Sequence, residues 1–250
     1  MDFIIEKLLG FTMVLTRISA FFLILPIFSW KSIPINIRAA ATILLAIFFS
    51  MLTPLPVDAK GISALKVTLL LVNESLYGLA LGLIGAVMFS TVKFAGQIIE
   101  REMGLVMAEI LDPLTEESSQ PLASLLEMIF VIMFLSANGH HLFLLIISRS
   151  YETFPAGSVP TVAVLTSGIT KASSTMLMAG LRLAAPMLAA FLLMLVVLAV
   201  LARIVPEMDI LFISFPIRIG LGLLMVATFL PFFHGFVSEF AEWMEKLLPL

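Results

Sequence analysis

The stretch ARIVPEMDILFISFPIRIGLGL, residues 202–223, decides how this chain folds. It places Pro206 and Pro216, Arg203 and Arg218, and Glu207 and Asp209 around a short apolar run. A proline inside a helix removes a hydrogen bond, and a charge in hydrocarbon costs roughly 2.5 kcal/mol or more on insertion scales. Something other than lipid therefore surrounds this stretch. Pro206 stops or redirects a helix arriving from its N-terminal side, and Pro216 disrupts the one that follows. The spacing predicts a turn between or beside them. A turn leaves backbone groups that lipid cannot satisfy and that water or protein can. Arg203, Glu207, Asp209 and Arg218 are accordingly expected at the tip of a helical hairpin, solvated or docked on other chains.

The composition around this stretch sets the class. Of 250 residues, 61% are hydrophobic and 12% are charged, against about a quarter charged in soluble domains. This is the composition of a membrane protein. A net charge of -3 without a long basic run excludes the electrostatic footprint of nucleic-acid binding. The absence of cysteine excludes disulfides, thiolate nucleophiles and cysteine metal sites. The N-terminus, MDFIIEKLLGF, carries Asp2 and Glu6 and lacks a basic start and a small-residue cleavage site, so the first apolar segment is expected to stay in the mature protein.

A helix needs about 20 apolar residues to cross roughly 30 Å of hydrocarbon. Six segments qualify, near 11–28, 37–52, 65–92, 122–147, 172–201 and 210–237. The expected fold is all-α: about six long, partly proline-broken hydrophobic helices arranged as helical hairpins in one unit. The last two segments exceed a single crossing and contain Pro186, and Pro216 with Pro231, so each is expected to bend into a pair. Two connections are long, 96–120 and 149–170. For six crossings, the loop lysines and arginines divide five against six between the two sides, which assigns no orientation. That tie weakens the assumption that every apolar segment crosses lipid; the alternative is that many are greasy because they pack on other protein chains. Arg17, Glu74, Glu127 and Arg182 sit amid apolar neighbours and are read as buried ionisable groups, paired within one bundle or with other subunits.

Chemistry-bearing motifs are sparse. His140 and His141 are adjacent, so on a helix their side chains point about 100° apart, whereas zinc pairs use a three- or four-residue spacing. They read as packing or interfacial histidines, and no metal or cofactor is expected. No serine lies in a G-x-S-x-G setting or beside an acid and base at readable spacing, so no catalytic residue is assigned. Gly78, Gly82 and Gly85 form a small-residue stripe inside a helix, which reads as close backbone packing rather than a dinucleotide loop. The connection GQIIEREMGLVMAEILDPLTEESSQ, 96–120, starts helically, meets Asp112-Pro113 and ends in a polar turn. Its apolar half, Met103, Leu105, Met107, Ile110 and Leu111, fits a solvated surface loop poorly. Loops of this length in compact domains are commonly lids or binding loops.

Three stretches together resemble a known family: RISAFFLILPIFSWKSIPINIRAA at 17–40, ANGHHLFLLIISRSYETFP at 137–155, and RIVPEMDILFISFPIRIGLGL at 203–223. They resemble the FliR family of flagellar export proteins and its injectisome counterparts, the T components of type III secretion, over nearly the whole chain. The resemblance departs at Asp209 and Ser214, where the family favours Asn and Gly. It implies a subunit that joins FliP and FliQ homologues in the export gate of the bacterial inner membrane, within the flagellar basal body, with FlhB and FlhA homologues nearby and unfolded export substrates as cargo. It implies a FliP-like part over 1 to about 150, a FliQ-like hairpin over about 160–250, and a plug for the closed pore near 103–120, with Met103, Leu105, Met107, Ile110, Leu111, Asp112 and Pro113 as gate residues. Arg203, Pro206, Glu207, Asp209, Pro216 and Arg218 become partner-docking residues. The injectisome system is the alternative, and a small-solute or proton-coupled carrier is the rival from another class.

Overall fold

The computed structural model describes residues 2–26, 33–52, 63–105, 120–158, 162–205 and 210–247, and among them every regular element is helical. In chain order these are α1 (Asp2–Ile24), α2 (Ile35–Leu52), α3 (Ala64–Met103), α4 (Pro121–Ser136), α5 (Gly139–Thr153), α6 (Val162–Ile204), α7 (Ile210–Phe229), a 3-10 turn (Leu230–Phe232) and α8 (Phe233–Leu247). Among the described residues five stretches are long and apolar enough to cross a membrane, or up to six if the broken pair α4 and α5 forms one span. The protein is an all-α integral membrane protein.

Proline and glycine set the helix ends where backbone chemistry requires it. Pro121 opens α4 at a position whose N–H would be unpaired in any case. Gly104, at φ +79°, closes the 40 residues of α3: its N–H donates to Arg101 O and the Leu105 N–H donates to Glu100 O, the double bond of a Schellman end. The fourth expected segment is interrupted after Ser136, where Asn138 takes a left-handed conformation at φ 63°. Pro186, by contrast, does not bend its segment into a pair. The 43 residues of α6 run through it, since a proline removes one bond from a ladder of many. Pro216 likewise lies inside α7, and the break falls at Pro231 in the 3-10 turn. The second long connection is shorter than expected, because α5 extends to Thr153 and α6 begins at Val162.

The chain forms two compact units, one from Met1–Met88, Asn138–Ser174 and Phe240–Leu250, the other from Phe89–Ala137 and Thr175–Glu239. In the first, α1 and α2 pack together. The buried face of α1 repeats at helical spacing through Met13, Val14, Arg17, Ile18, Phe21 and Leu25. In the second, Phe89 meets Phe130 and Phe134 edge-on, at 5.8 and 5.1 Å between ring centroids. There α6 and α7 run as a hairpin: Leu183 and Met187 of α6 line a small apolar cavity together with Val226 and Phe229 of α7. Much of this hairpin is apolar and uncovered, with Leu192, Val196, Val200, Phe212 and Leu224 all exposed.

Candidate functional site

Two polar constellations position the helices, one in each unit. The first grows from the α1 and α3 stripes. On α3 the buried positions run Glu74, Tyr77, Gly78, Leu81, Gly82, Ile84 and Gly85, so Glu74 lies in register with the apolar face, as Arg17 does on α1. The glycines bring the two backbones together. A Cβ on Gly78 would overlap the Arg17 carbonyl oxygen, and one on Gly82 would lie 2.8 Å from the Phe21 carbonyl oxygen. This close approach carries Glu74, one turn before Gly78, onto Arg17.

The resulting pair is bidentate. Arg17 Nε donates to Glu74 Oε2 at 2.6 Å and Nη2 donates to Oε1 at 3.1 Å, with side chains 3% and 0% exposed. Arg17 Nη1 donates to the carbonyls of Ser150 at 3.2 Å and Phe154 at 2.9 Å. Those carbonyls belong to the C-terminal end of α5, where the Ser150 carbonyl also accepts the Phe154 N–H and a cation complements the helix dipole. The Gly157 N–H, at φ +85°, donates to Glu74 Oε1 at 2.6 Å, and Asn73 Nδ2 donates to Ser158 O at 2.5 Å. The guanidinium lies 4.7 Å from the Tyr77 ring centroid and 4.2 Å from that of Tyr151. The Tyr77 hydroxyl is buried with no partner among the described residues. Chemically this is a clasp: one ion pair joins α1 and α3 to the end of α5 and the turn after it.

The second constellation holds both feet of the central loop. Gln97 Nε2 donates to Gln120 Oε1 at 2.6 Å, and the buried Glu100 accepts the Ala123 N–H at 3.3 Å, placing a carboxylate at the N-terminus of α4. A Cβ on Gly96 would lie 2.7 Å from Ala123 Cα, so α3 and α4 nearly touch there. Met103, fully buried, fills the space beside Gly222 of α7: a Cβ at 222 would lie 2.5 Å from its Cγ and Sδ. A Cβ on Gly104 would meet the Phe215 ring at 3.4 Å.

The residues singled out from sequence distribute unevenly. Arg17 and Glu74 are buried together, and Glu127 is partly covered and paired with Lys93 at 3.4 Å. Arg182 corrects the expectation of burial: its side chain is 76% exposed and pairs with Glu239 at 3.0 Å, because it lies on the outward face of α6 beside Leu181 and Met178. Arg218 corrects another. It is eight residues into α7 rather than at the hairpin tip, since the helix starts at Ile210 and tolerates Pro216. Met103 belongs to the last turn of α3 rather than to a loop, and Leu105 follows the Schellman end. Met107, Ile110, Leu111, Asp112 and Pro113, together with Pro206, Glu207 and Asp209, lie outside the described residues. Arg203 is exposed at the end of α6. His140 and His141 are exposed with ring centroids 4.3 Å apart, and among the described residues no group of three or more His, Cys, Asp or Glu could hold a metal ion. Sequence reasoning missed Glu100, Gly104, Tyr77 and Tyr151. Gly104 carried a legible signal, a glycine just past a helix with Arg101 in its last turn.

Long helices pinned by buried polar contacts, with apolar faces left uncovered, define an all-α membrane protein. The match to bacterial export proteins, family 1, extends over residues 8–244, and the chain belongs to that family. It is similar to the flagellar biosynthetic protein FliR of Escherichia coli K12, at 29% identity over 94% of this chain and 89% of that one. Similarity to FliR of Bacillus subtilis 168 is 30% over 90% and 88% of the two chains, and to FliR of Caulobacter vibrioides 26% over 95% and 94%. The chain is a membrane component of the flagellar export apparatus.

Proposed function

We propose that this chain is one subunit of a hetero-oligomeric export gate in the bacterial inner membrane, at the flagellar basal body. In this reading it joins FliP and FliQ homologues to wall the channel taken by unfolded export substrates, with FlhB and FlhA homologues docking nearby. Residues 1 to about 150 act as a FliP-like part, and about 160–250 as a FliQ-like hairpin. The central loop, about 103–120, contributes the plug of the closed channel through Leu105, Met107, Ile110, Leu111, Asp112 and Pro113, with Met103 anchoring its first foot beside Gly222. The hairpin residues Arg203, Pro206, Glu207, Asp209, Pro216 and Arg218 dock partners.

The observation that carries the reading is the family match across 8–244 with flagellar relatives. The uncovered apolar faces of α2 and of the α6–α7 hairpin support it, since neighbouring subunits cover such surface as readily as lipid does. The flagellar names of the relatives favour the flagellar system over an injectisome, and the family favours export over a solute carrier.

The test is co-expression with FliP and FliQ homologues. The intact chain is expected to co-purify with them, and the variant lacking 104–119 to assemble while leaving the membrane permeable to ions or small solutes. A chain that purifies as a stable monomer beside those proteins refutes the assembly. A deletion that stops assembly and never causes leakage refutes the plug.

A further inference from the structure

The end of α3 is seated on α7 at one tight point. Met103, in the last turn of α3, is fully buried, and a Cβ at 222 would lie 2.5 Å from its Cγ and Sδ and 2.9 Å from its Cε. The whole side chain therefore occupies the notch that Gly222 leaves. Ile99, Ala95 and Val92, the next positions back along that stripe of α3, line the apolar cavity of about 50 Å³. They share it with Val226, Phe229 and Phe233, the next positions onward from Gly222. The two helices thus run antiparallel along one stripe, filled at Met103 and underpacked beyond it. Side chains around a void lack partner atoms on one side, so that part of the stripe holds the register of α3 on α7 weakly. The filled notch holds it sharply.

The same end of α3 carries the first foot of the central loop. The hydrogen bonds of Gln97 with Gln120, at 2.6 Å, and of Glu100 with the Ala123 N–H, at 3.3 Å, tie that foot to the second one on α4. Whatever displaces Met103 from α7 therefore displaces both feet. Resting on the plug proposed above, we infer that Gly222 and Met103 are its positioning residues: α7, through the notch, sets where the root of the loop sits and so how tightly the channel closes. Gly222 serves by having no side chain, since any group there would overlap Met103 along most of its length. Gly220, two residues earlier on α7, marks the contrast, because a Cβ there meets nothing within 4 Å. The joint requires one large and one small partner, and the chemistry of neither is otherwise special.

The experiment uses inverted membrane vesicles carrying the full chain co-expressed with its partners. It reads the recovery of those partners and the rate at which an imposed proton gradient decays. Gly222→Val is expected to speed the decay at least about fivefold while partner recovery stays within about twofold of the parent. Met103→Ala, which empties the notch without overfilling it, is expected to speed the decay at least about twofold. Combining them moves bulk from one side of the joint to the other, since valine adds about as many atoms at 222 as alanine removes at 103. The combined variant should return to within about twofold of the parent, and Gly220→Val should match the parent. Tight vesicles with both single variants, a combined variant as leaky as the worse single one, or loss of partners with Gly222→Val overturns the inference. Where the variant lacking 104–119 leaks and both single variants stay tight, this inference alone falls; where that deletion is tight as well, the plug falls and takes the inference with it.

Discussion

Replacing Glu74 with glutamine isolates the charge of the clasp from its shape. Glu74 accepts three hydrogen bonds, from Arg17 Nε, Arg17 Nη2 and the Gly157 N–H. A glutamine has one oxygen to offer. With that oxygen in the Oε1 position it keeps Nη2 and Gly157 but turns its NH2 against Arg17 Nε–H; the opposite orientation sets donors against donors at two bonds. Either way a guanidinium only 3% exposed loses its counter-charge. Removing one member of a buried pair costs about 3–5 kcal/mol. With about 2–4 °C per kcal/mol in a chain of this length, the apparent Tm should fall by roughly 10 °C. The assay is a thermal series on detergent-purified protein read by fluorescence-detected size exclusion. Arg182→Gln is the control, because it breaks a pair of similar length, 3.0 Å, between exposed side chains, worth no more than about 1 kcal/mol. A Glu74→Gln Tm within about 3 °C of the parent, or an Arg182→Gln loss equal to it, would refute the claim that burial makes this pair matter.

Two further expectations come from the glycines. Gly78→Leu drives a side chain into the Arg17 backbone, so it should cut accumulation in membranes severely; Gly220→Leu, where a Cβ meets nothing within 4 Å, should accumulate normally, and immunoblots of membrane fractions check both. Cysteines at Met103 and Gly222 should crosslink on oxidation. With a Cβ at 222 lying 2.5 Å from Met103 Cγ, and a bond of about 1.5 Å from there to Cβ, the two Cβ atoms lie no more than about 4 Å apart, inside disulfide range. The chain has no other cysteine to compete, so a mobility shift on non-reducing gels reads the bond directly, and its absence would contradict the packing of α3 on α7.

What was legible in the sequence depended on whether the signal was local. The helical class followed from composition and segment length, and the packing role of Gly78, Gly82 and Gly85 followed from their spacing, because only a backbone-to-backbone approach uses three glycines on one helical face. Arg17 and Glu74 stood out as ionisable groups in apolar runs, yet nothing in the sequence joined them: 57 residues separate them, and the geometry depends on the α1–α3 crossing. Arg182 carried the same apolar-neighbour signal and proved exposed, since neighbours along the chain do not say which face of the helix a residue occupies. Asn138 hid a break because its neighbours on both sides are apolar enough to read as one span. Pro186 suggested a break and made none, because a long helix absorbs one missing bond.

The same arithmetic of faces explains why the two ends of the chain differ. On α1 the buried positions include large side chains, Phe21, Phe22 and Leu25, so that helix is held by its own unit. On α7 the buried positions are Ser214 and Gly222, and its large apolar side chains, Phe212, Leu223 and Leu224, point away. Small residues permit close approach but bury little area, so at about 25 cal/mol per Å² the self-contacts of α7 stabilise it weakly. Its conformation must then be held largely by whatever covers the outer face. On this argument the self-contacts of α7 hold it weakly, while the buried clasp of Arg17 and Glu74 holds the first unit firmly.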